Sequence, residues 1–378
     1  MSNQFEVIVV GVGAMGACTC FHLARRGLRV LGLEQFGIPN TLGSSHGDTR
    51  AIRLAYYEHP DYVPLLRRSY HLWREAESLS GQKLLYITGG LYLGQSESDL
   101  VTGSIRSAET FDLPYEKLDR SMVADRFPQF EVPEEYTGIY EPEGGLLRPE
   151  LSISVNTGLA IRHGAEIHGC EKVLDWKTTG SGATVKTDRA IYQARRLIFC
   201  GGAWTGKLML DIGVNVKVTR QIVGWVWPRK PEQFELGRFP IWAIAHENQA
   251  LHYGFPMLSD RPGVKVAHHS PGILTDPDLC VRSATLGDEN DFLPALKRFL
   301  PDASGPLLSM SVCLYENSPD SHFIIDRYQN SDSVFVACGF SGHGFKFATV
   351  VGEALADLAE HGQTQLPIGF LGLHRFGI

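Results

Sequence analysis

The chain has 378 residues, 43% hydrophobic and 20% charged, enough to bury one large core or two linked ones. Its net charge of −7 provides no basic field for phosphate backbones and excludes nucleic acid as an expected partner. No window approaches the ~20 apolar residues of a membrane span, and Met1 to Glu6 lacks the basic-then-apolar order of an export signal, so the expected place is the cytoplasm.

Phe5 to Val10 is apolar but for Glu6 and predicts a buried parallel strand. Gly11-Val12-Gly13-Ala14-Met15-Gly16 follows at once, then Ala17 to Arg26 at helical spacing, with Gly27 as the stop. Leu28 to Leu33 predicts a second strand that ends in Glu34. Beyond it lies a loop, Phe36 to Gly47, rich in Gly, Pro, Asn, Ser and Thr. A helix is expected over Tyr62 to Ser78 and a strand over Leu84 to Gly94. Val173 to Trp176 and Thr184 to Thr187 flank the turn Gly180-Ser181-Gly182 and predict a hairpin. Leu197 to Cys200 is a buried strand running into Gly201-Gly202-Ala203-Trp204. Strands are expected again over Ile222 to Trp227, Gly263 to His268 and Val334 to Cys338, and a final helix from about Phe345 to His361.

The order strand, glycine turn, helix, strand, acid has a physical reading as a dinucleotide-binding unit. Gly11 permits the tight turn, Gly13 lets backbone approach a diphosphate, and Gly16 lets the helix pack on the strand. The helix N-terminus offers free N–H groups to phosphate, and Glu34 would accept hydrogen bonds from a ribose. The motif alone does not separate NAD from FAD. The irregular chain after Glu34 departs from the regular strand–helix units usual in nicotinamide enzymes. The seven cysteines are odd in number and scattered, and no Cys/His spacing suits a metal, so neither a disulfide frame nor a metal site is expected.

Several blocks, in order, carry a more specific likeness: Gly43 to Arg53 (GSSHGDTRAIR), Tyr253 to Pro256 (YGFP), Val264-Lys265 with His269, Val312 to Tyr315 (VCLY), His322 to Asp326 (HFIID) and Gly339 to Phe347 (GFSGHGFKF). With them the chain resembles, from end to end, the monomeric sarcosine oxidase and N-methyltryptophan oxidase family of FAD-dependent amine oxidases. The resemblance implies an α/β fold of the D-amino acid oxidase type, a Rossmann-type FAD-binding domain interleaved with a substrate domain built on a mixed, largely antiparallel sheet. The first is expected over 1–84, 150–216 and 322–378, the second over 85–149 and 217–321. The implied reaction oxidises an N-methyl-L-amino acid to the amino acid, formaldehyde and hydrogen peroxide, by a monomer that uses oxygen as acceptor.

By itself a buried cysteine reads as a small core hydrophobe. The resemblance implies instead that Cys313 is joined through sulfur to the 8α carbon of the flavin. It further implies FAD contacts at Gly11, Gly13, Met15, Gly16, Glu34, Gly43, Ser44, Arg50, Val173, Gly202, Trp204, Leu314, Gly342, His343, Gly344 and Lys346. Arg53 and Lys346 would bind the substrate carboxylate, a planar fork and a point charge suited to that anion, and Tyr253 would line the amine side. Lys265 would activate oxygen, a fixed cation being able to stabilise the negative charge that oxygen takes up, with Arg50, His46, His269 and Tyr315 completing the catalytic set. Arg50 and Arg53 stand three apart, the spacing of one helical turn, and are expected to share a cavity. His268, next to His269, is expected to face away from it. Sarcosine-specific members usually carry His where this chain has Ser45, and Ala243 stands near a position they fill with methionine, which suggests room for a larger side chain. Two other readings remain open: an oxidase of the same fold acting on a cyclic imino acid or a sugar-conjugated amine, and a flavin protein that binds an amino acid without turning it over.

Overall fold

A computed structural model describes residues 3–247, 250–269 and 272–378; Met1 and Ser2, the start of the stretch read for an export signal, lie outside the described residues. Among the described residues no helix is long and apolar enough to cross a membrane.

The apolar run Gln4–Val10 forms the centre of an eight-stranded sheet. It is parallel to Val30–Leu33 on one side and to Ile191–Phe199 on the other, and the sheet continues in parallel to Glu166–His168 and Val334–Cys338. Strands buried on both faces carry nearly continuous Val, Ile, Leu and Phe, as here. The Val173–Thr179 and Gly182–Thr187 hairpin extends one edge in antiparallel register. Helix Ala14–Ala24 covers the sheet and is buried at ten of eleven positions, because helices Pro149–Arg162 and Ala348–His361 pack on it in turn. Gly352 sets the distance of that crossing: a Cβ there would lie 2.6 Å from the Cys18 carbonyl carbon. In helix Tyr62–Ser80 the buried residues Tyr62, Leu65, Leu66, Ser69, Leu72, Trp73 and Ala76 repeat at three and four, and burying Leu66 alone contributes about 1.5–3 kcal/mol. Gly81, at φ 70°, ends it with a left-handed cap onto the Glu77 carbonyl.

A nine-stranded sheet stands beside the first, built from Gly90–Gln95, Glu116–Leu118, Tyr136–Glu141, Lys217–Val226, Ile241–Ala245, Leu251–Phe255, Val264–His269, Ile273–Leu274 and Leu307–Asn317. All its pairings are antiparallel except Ile241–Ala245 on Gly90–Gln95. A three-stranded sheet, Arg50–Ile52, Gly145–Leu147 and Leu85–Ile87, makes the third. The chain leaves the parallel sheet after Val30–Leu33 and again after Ile191–Phe199, and returns to it at Glu166 and Ile324.

Two expectations need correction. Leu84 to Gly94 is not one strand: Leu85–Ile87 and Gly90–Gln95 belong to different sheets, and the chain turns between them at Gly89, φ +74°. Arg50 and Arg53 are not on a helix. Arg50 opens a short strand and Arg53 follows its end, because pairing with Gly145–Leu147 holds this segment extended. The last helix begins with a 3-10 turn at Phe345–Phe347 before Ala348–His361.

Candidate active site

The two large sheets enclose a cavity of about 550 Å³ that runs from the glycine turn to the Leu307–Asn317 strand. At one end the dinucleotide unit has the shape its sequence implies. Gly11 is at φ +91°, where a side chain would collide with the Cys200 carbonyl, and a Cβ on Gly16 would collide with the Gly11 carbonyl. Gly13 has open space within 4 Å of its Cβ position, which leaves its backbone free to approach a ligand. Glu34 accepts the Val12 and Phe36 N–H groups at 2.9 and 3.0 Å, which ties the turn to the second strand; burial raises its pKa against the pull of those bonds. Gly11, Gly13, Met15 and Glu34 line the cavity, whereas Gly16 is packed behind them. Gly43, Ser44, Val173, Gly202, Trp204 and Leu314 also line it, with the Trp204 indole donating to Asp278 at 2.7 Å.

At the other end a group of basic side chains surrounds a thiol. Arg50 Nη2 lies 3.7 Å from Cys313 Sγ and donates to the Ser44 carbonyl at 2.6 Å, while Nη1 donates to Thr49 at 2.8 Å. Burial alone would push the Cys313 thiol up, but His46, then Arg50 and Lys265, outweigh it and bring its pKa down to about 6. Lys265 donates to the Gly47 and Thr49 carbonyls, both at 2.7 Å, and burial followed by Arg50 drives its pKa far down. His46 and Lys265 are buried outside the cavity lining, and His46 Nε2 has no partner in hydrogen-bond geometry among the described residues although its ring is close enough to favour the thiolate.

Next to Cys313 the wall is aromatic, and beyond it basic. His269 Nδ1 meets the Tyr315 hydroxyl at 3.2 Å, and Tyr253 stands edge-on to His269. Burial lowers the His269 pKa to about 4, so its ring is neutral. His268 also reaches the cavity lining but turns its Nδ1 to Asp291 at 2.9 Å. Lys346 donates to the His343 carbonyl at 2.9 Å, and burial together with Arg53 lowers its pKa to about 7. Gly342, at φ +80°, has no room for a side chain beside the Tyr315 ring; with His343 and Gly344 it lines the cavity, the His343 ring being held by Tyr56 and the Ser321 carbonyl.

Glu58 was missed in the sequence. It takes Arg53 Nη2 with both carboxylate oxygens, at 2.8 and 2.7 Å, while Arg53 also rests on the Tyr56 and Tyr57 rings. Burial would raise the Glu58 pKa, but Arg53, His343 and Lys346 hold it near 2. Nothing in the run Tyr56-Tyr57-Glu58 marks it as a site residue, because the reason lies in a partner and a cavity brought there by folding.

A glycine cradle for a diphosphate, a long cavity and a basic pocket at its far end fit FAD, and they define the chain as a flavin-dependent oxidoreductase. It belongs to that family: the model described as "FAD dependent oxidoreductase" matches residues 6–358. The chain is 42% identical to the monomeric sarcosine oxidase of Streptomyces avermitilis, over 99% of this chain and 98% of the relative. It is 33% identical to the N-methyl-L-tryptophan oxidase of Escherichia coli (strain K12 / DH10B), over 99% of this chain and all of that protein. Among solved structures, NikD, described as an unusual amino acid oxidase essential for nikkomycin biosynthesis, superposes with a TM-score of 0.86 at 25% identity, covering 98% of this chain and 97% of that one. The L-proline dehydrogenase of P. horikoshii shares the fold, with a TM-score of 0.83 at 22% identity over 100% of this chain and 99% of that one.

Proposed function

We propose that the chain is an oxidase that demethylates an N-methyl-L-amino acid, holding its FAD through a covalent bond to Cys313 and delivering the electrons to oxygen. When bound, FAD supplies the two-electron oxidation of the N-methyl carbon. The observation that carries the reading is the meeting of Cys313, Arg50, Arg53 and Lys346 in one cavity with the glycine turn. It is supported by relatives of full length named sarcosine oxidase and N-methyl-L-tryptophan oxidase.

The chain's own residues divide the work. Residues 1–84, 150–216 and 322–378 form the FAD-binding domain and 85–149 with 217–321 the substrate domain, with Cys313 reaching the cofactor from the second and Arg53 and Lys346 reaching the substrate from the first. The Cys313 thiolate, kept ionised by His46 and Arg50, would hold the flavin through sulfur, the proton of the replaced 8α C–H bond leaving to solvent and its two electrons passing to oxygen. Lys346 and Arg53 bind the substrate carboxylate, for which Arg53 must share or leave Glu58. Neutral His269, with Tyr315 and Tyr253, receives the amine without placing a cation against it. Lys265 keeps an amine near the flavin end for oxygen to meet. Ala243 lines the cavity beside Tyr253 on the neighbouring strand and leaves space for a side chain that sarcosine lacks. The enzyme works as a monomer in the cytoplasm.

Purified protein supplied with sarcosine or N-methyl-L-tryptophan is expected to release peroxide and formaldehyde, and its acid precipitate to stay yellow. Lack of flavin-dependent peroxide with any N-methyl amino acid refutes the activity; a colourless precipitate refutes the bond.

A further inference from the structure

One buried acid stands between the two ends of the cavity and has no part in the reaction described above. Glu316 is 4% exposed and lies three residues beyond Cys313 on Leu307–Asn317, where strand alternation turns it, with Leu314, away from the face of Cys313 and Tyr315. Its Oε2 accepts the Gly339 N–H at 2.9 Å. Its Oε1 is buried, belongs to a residue of the cavity wall, and has no hydrogen-bond partner among the described residues. The Thr205 hydroxyl beside it is also buried, meets no partner in hydrogen-bond geometry among the described residues, and stands close enough to favour the ionised carboxylate. The titratable groups that share this place are the thiols of Cys200 and Cys338, at the ends of two parallel strands, and among the described residues no Lys, Arg or His offsets a charge on Glu316.

Cys200 also fixes where the acid lies along a bound dinucleotide. Its carbonyl crowds Gly11 and its Cβ comes within 3.4 Å of a side chain built on Gly16, so it is part of the phosphate turn. Glu316 lines the same cavity as that turn and Cys313 and lies within electrostatic reach of Cys200, which sets it beside a dinucleotide spanning the two. An ionised carboxylate there would face the diphosphate in a medium of low dielectric, whereas the neutral acid presents a donor to it.

We propose that Glu316 binds FAD as the neutral carboxylic acid, donating a hydrogen bond from Oε1–H to an oxygen of the cofactor's ribityl–diphosphate linker. Burial supports this by pushing its pKa up to about 8, against the pull of the Gly339 N–H and the Thr205 hydroxyl. The inference rests on the family's FAD and is independent of the sulfur bond.

The test uses the full chain carrying Cys313→Ser, so that FAD exchanges and its affinity is read from flavin fluorescence. If FAD also leaves the unsubstituted chain, the sulfur bond is refuted and the same titration is run on that chain. Glu316→Gln, which keeps a neutral donor, is expected to bind FAD within about twofold of the parent, and Glu316→Leu to bind about tenfold more weakly, the worth of one hydrogen bond. The parent should lose affinity as pH rises above about 8, and the Gln form should not. Infrared spectra of the holoprotein at neutral pH should contain the carbonyl stretch of one buried un-ionised acid that Glu316→Gln removes. Equal FAD affinity in all three proteins, a parent affinity independent of pH, or loss of only a carboxylate band in the Gln form overturns the proposal. If the Leu form does not fold, the pH series and the infrared difference decide.

Discussion

Replacing His46 by phenylalanine tests the chemistry of Cys313 most directly, because the ring is buried and nearly matched in shape while its stabilisation of the thiolate is lost. With a pKa near 6, about 90% of the thiol is ionised at pH 7; if the whole shift were lost and the value returned to 9.0, about 1% would be. A less acidic thiol is also a better nucleophile. With the sensitivity of ~0.4–0.5 known for thiolate attack on sulfur, three pKa units regain about 16- to 30-fold, so the rate at pH 7 falls only about three- to sixfold. The midpoint of the pH profile therefore discriminates better than a rate at one pH. Apoprotein mixed with FAD, quenched in acid and assayed for flavin retained by the precipitate gives the rate of bond formation. In the parent the rate should rise through about pH 6 and level off, and in His46→Phe the midpoint should move toward 9. Identical midpoints in the two proteins, or a parent rate still climbing between pH 7 and 9, would refute the reasoning.

Glu58→Gln leaves Arg53 buried without its partner. The Glu58 pKa lies near 2 against an ordinary 4.5, so the pair contributes about 3 kcal/mol, fully present above pH 4.5 and lost as pH falls toward 2. At neutral pH the variant should melt about 4 °C lower by calorimetry, and bind a carboxylate inhibitor more tightly because Arg53 is released; weaker binding would mean that Glu58 poses Arg53 for the substrate. Lys346, with its pKa lowered to about 7, needs its proton to hold an anion, so inhibitor affinity should fall as pH rises through 7 in the parent and stay level in Lys346→Gln. A parent affinity unchanged from pH 6 to 9 would remove Lys346 from the anion site. Lys265→Met should slow reoxidation of the reduced enzyme by oxygen far more than its reduction by substrate in stopped-flow traces; equal slowing of both steps contradicts the role given to Lys265.

The dinucleotide unit was legible because its causes are local. Gly11, Gly13, Gly16 and Glu34 are required by backbone angles, close packing and a short turn, all within one strand–helix–strand segment. The order of apolar runs likewise announced four of the parallel strands and two of the covering helices, but not Glu166–His168 or Pro149–Arg162. Spacing misled at Arg50 and Arg53, which share a cavity although their segment is extended, because pairing with Gly145–Leu147 outweighs the helical reading of a three-residue interval. Ionisation was beyond reach of the sequence. Whether Cys313 is a thiolate, Lys346 an ammonium or Glu316 a neutral acid depends on burial and on partners tens to hundreds of residues away, such as His46 for Cys313 and Gly339 for Glu316. Backbone shape is written in neighbouring residues; charge state is decided by desolvation and by the field of groups that only the assembled tertiary structure brings together.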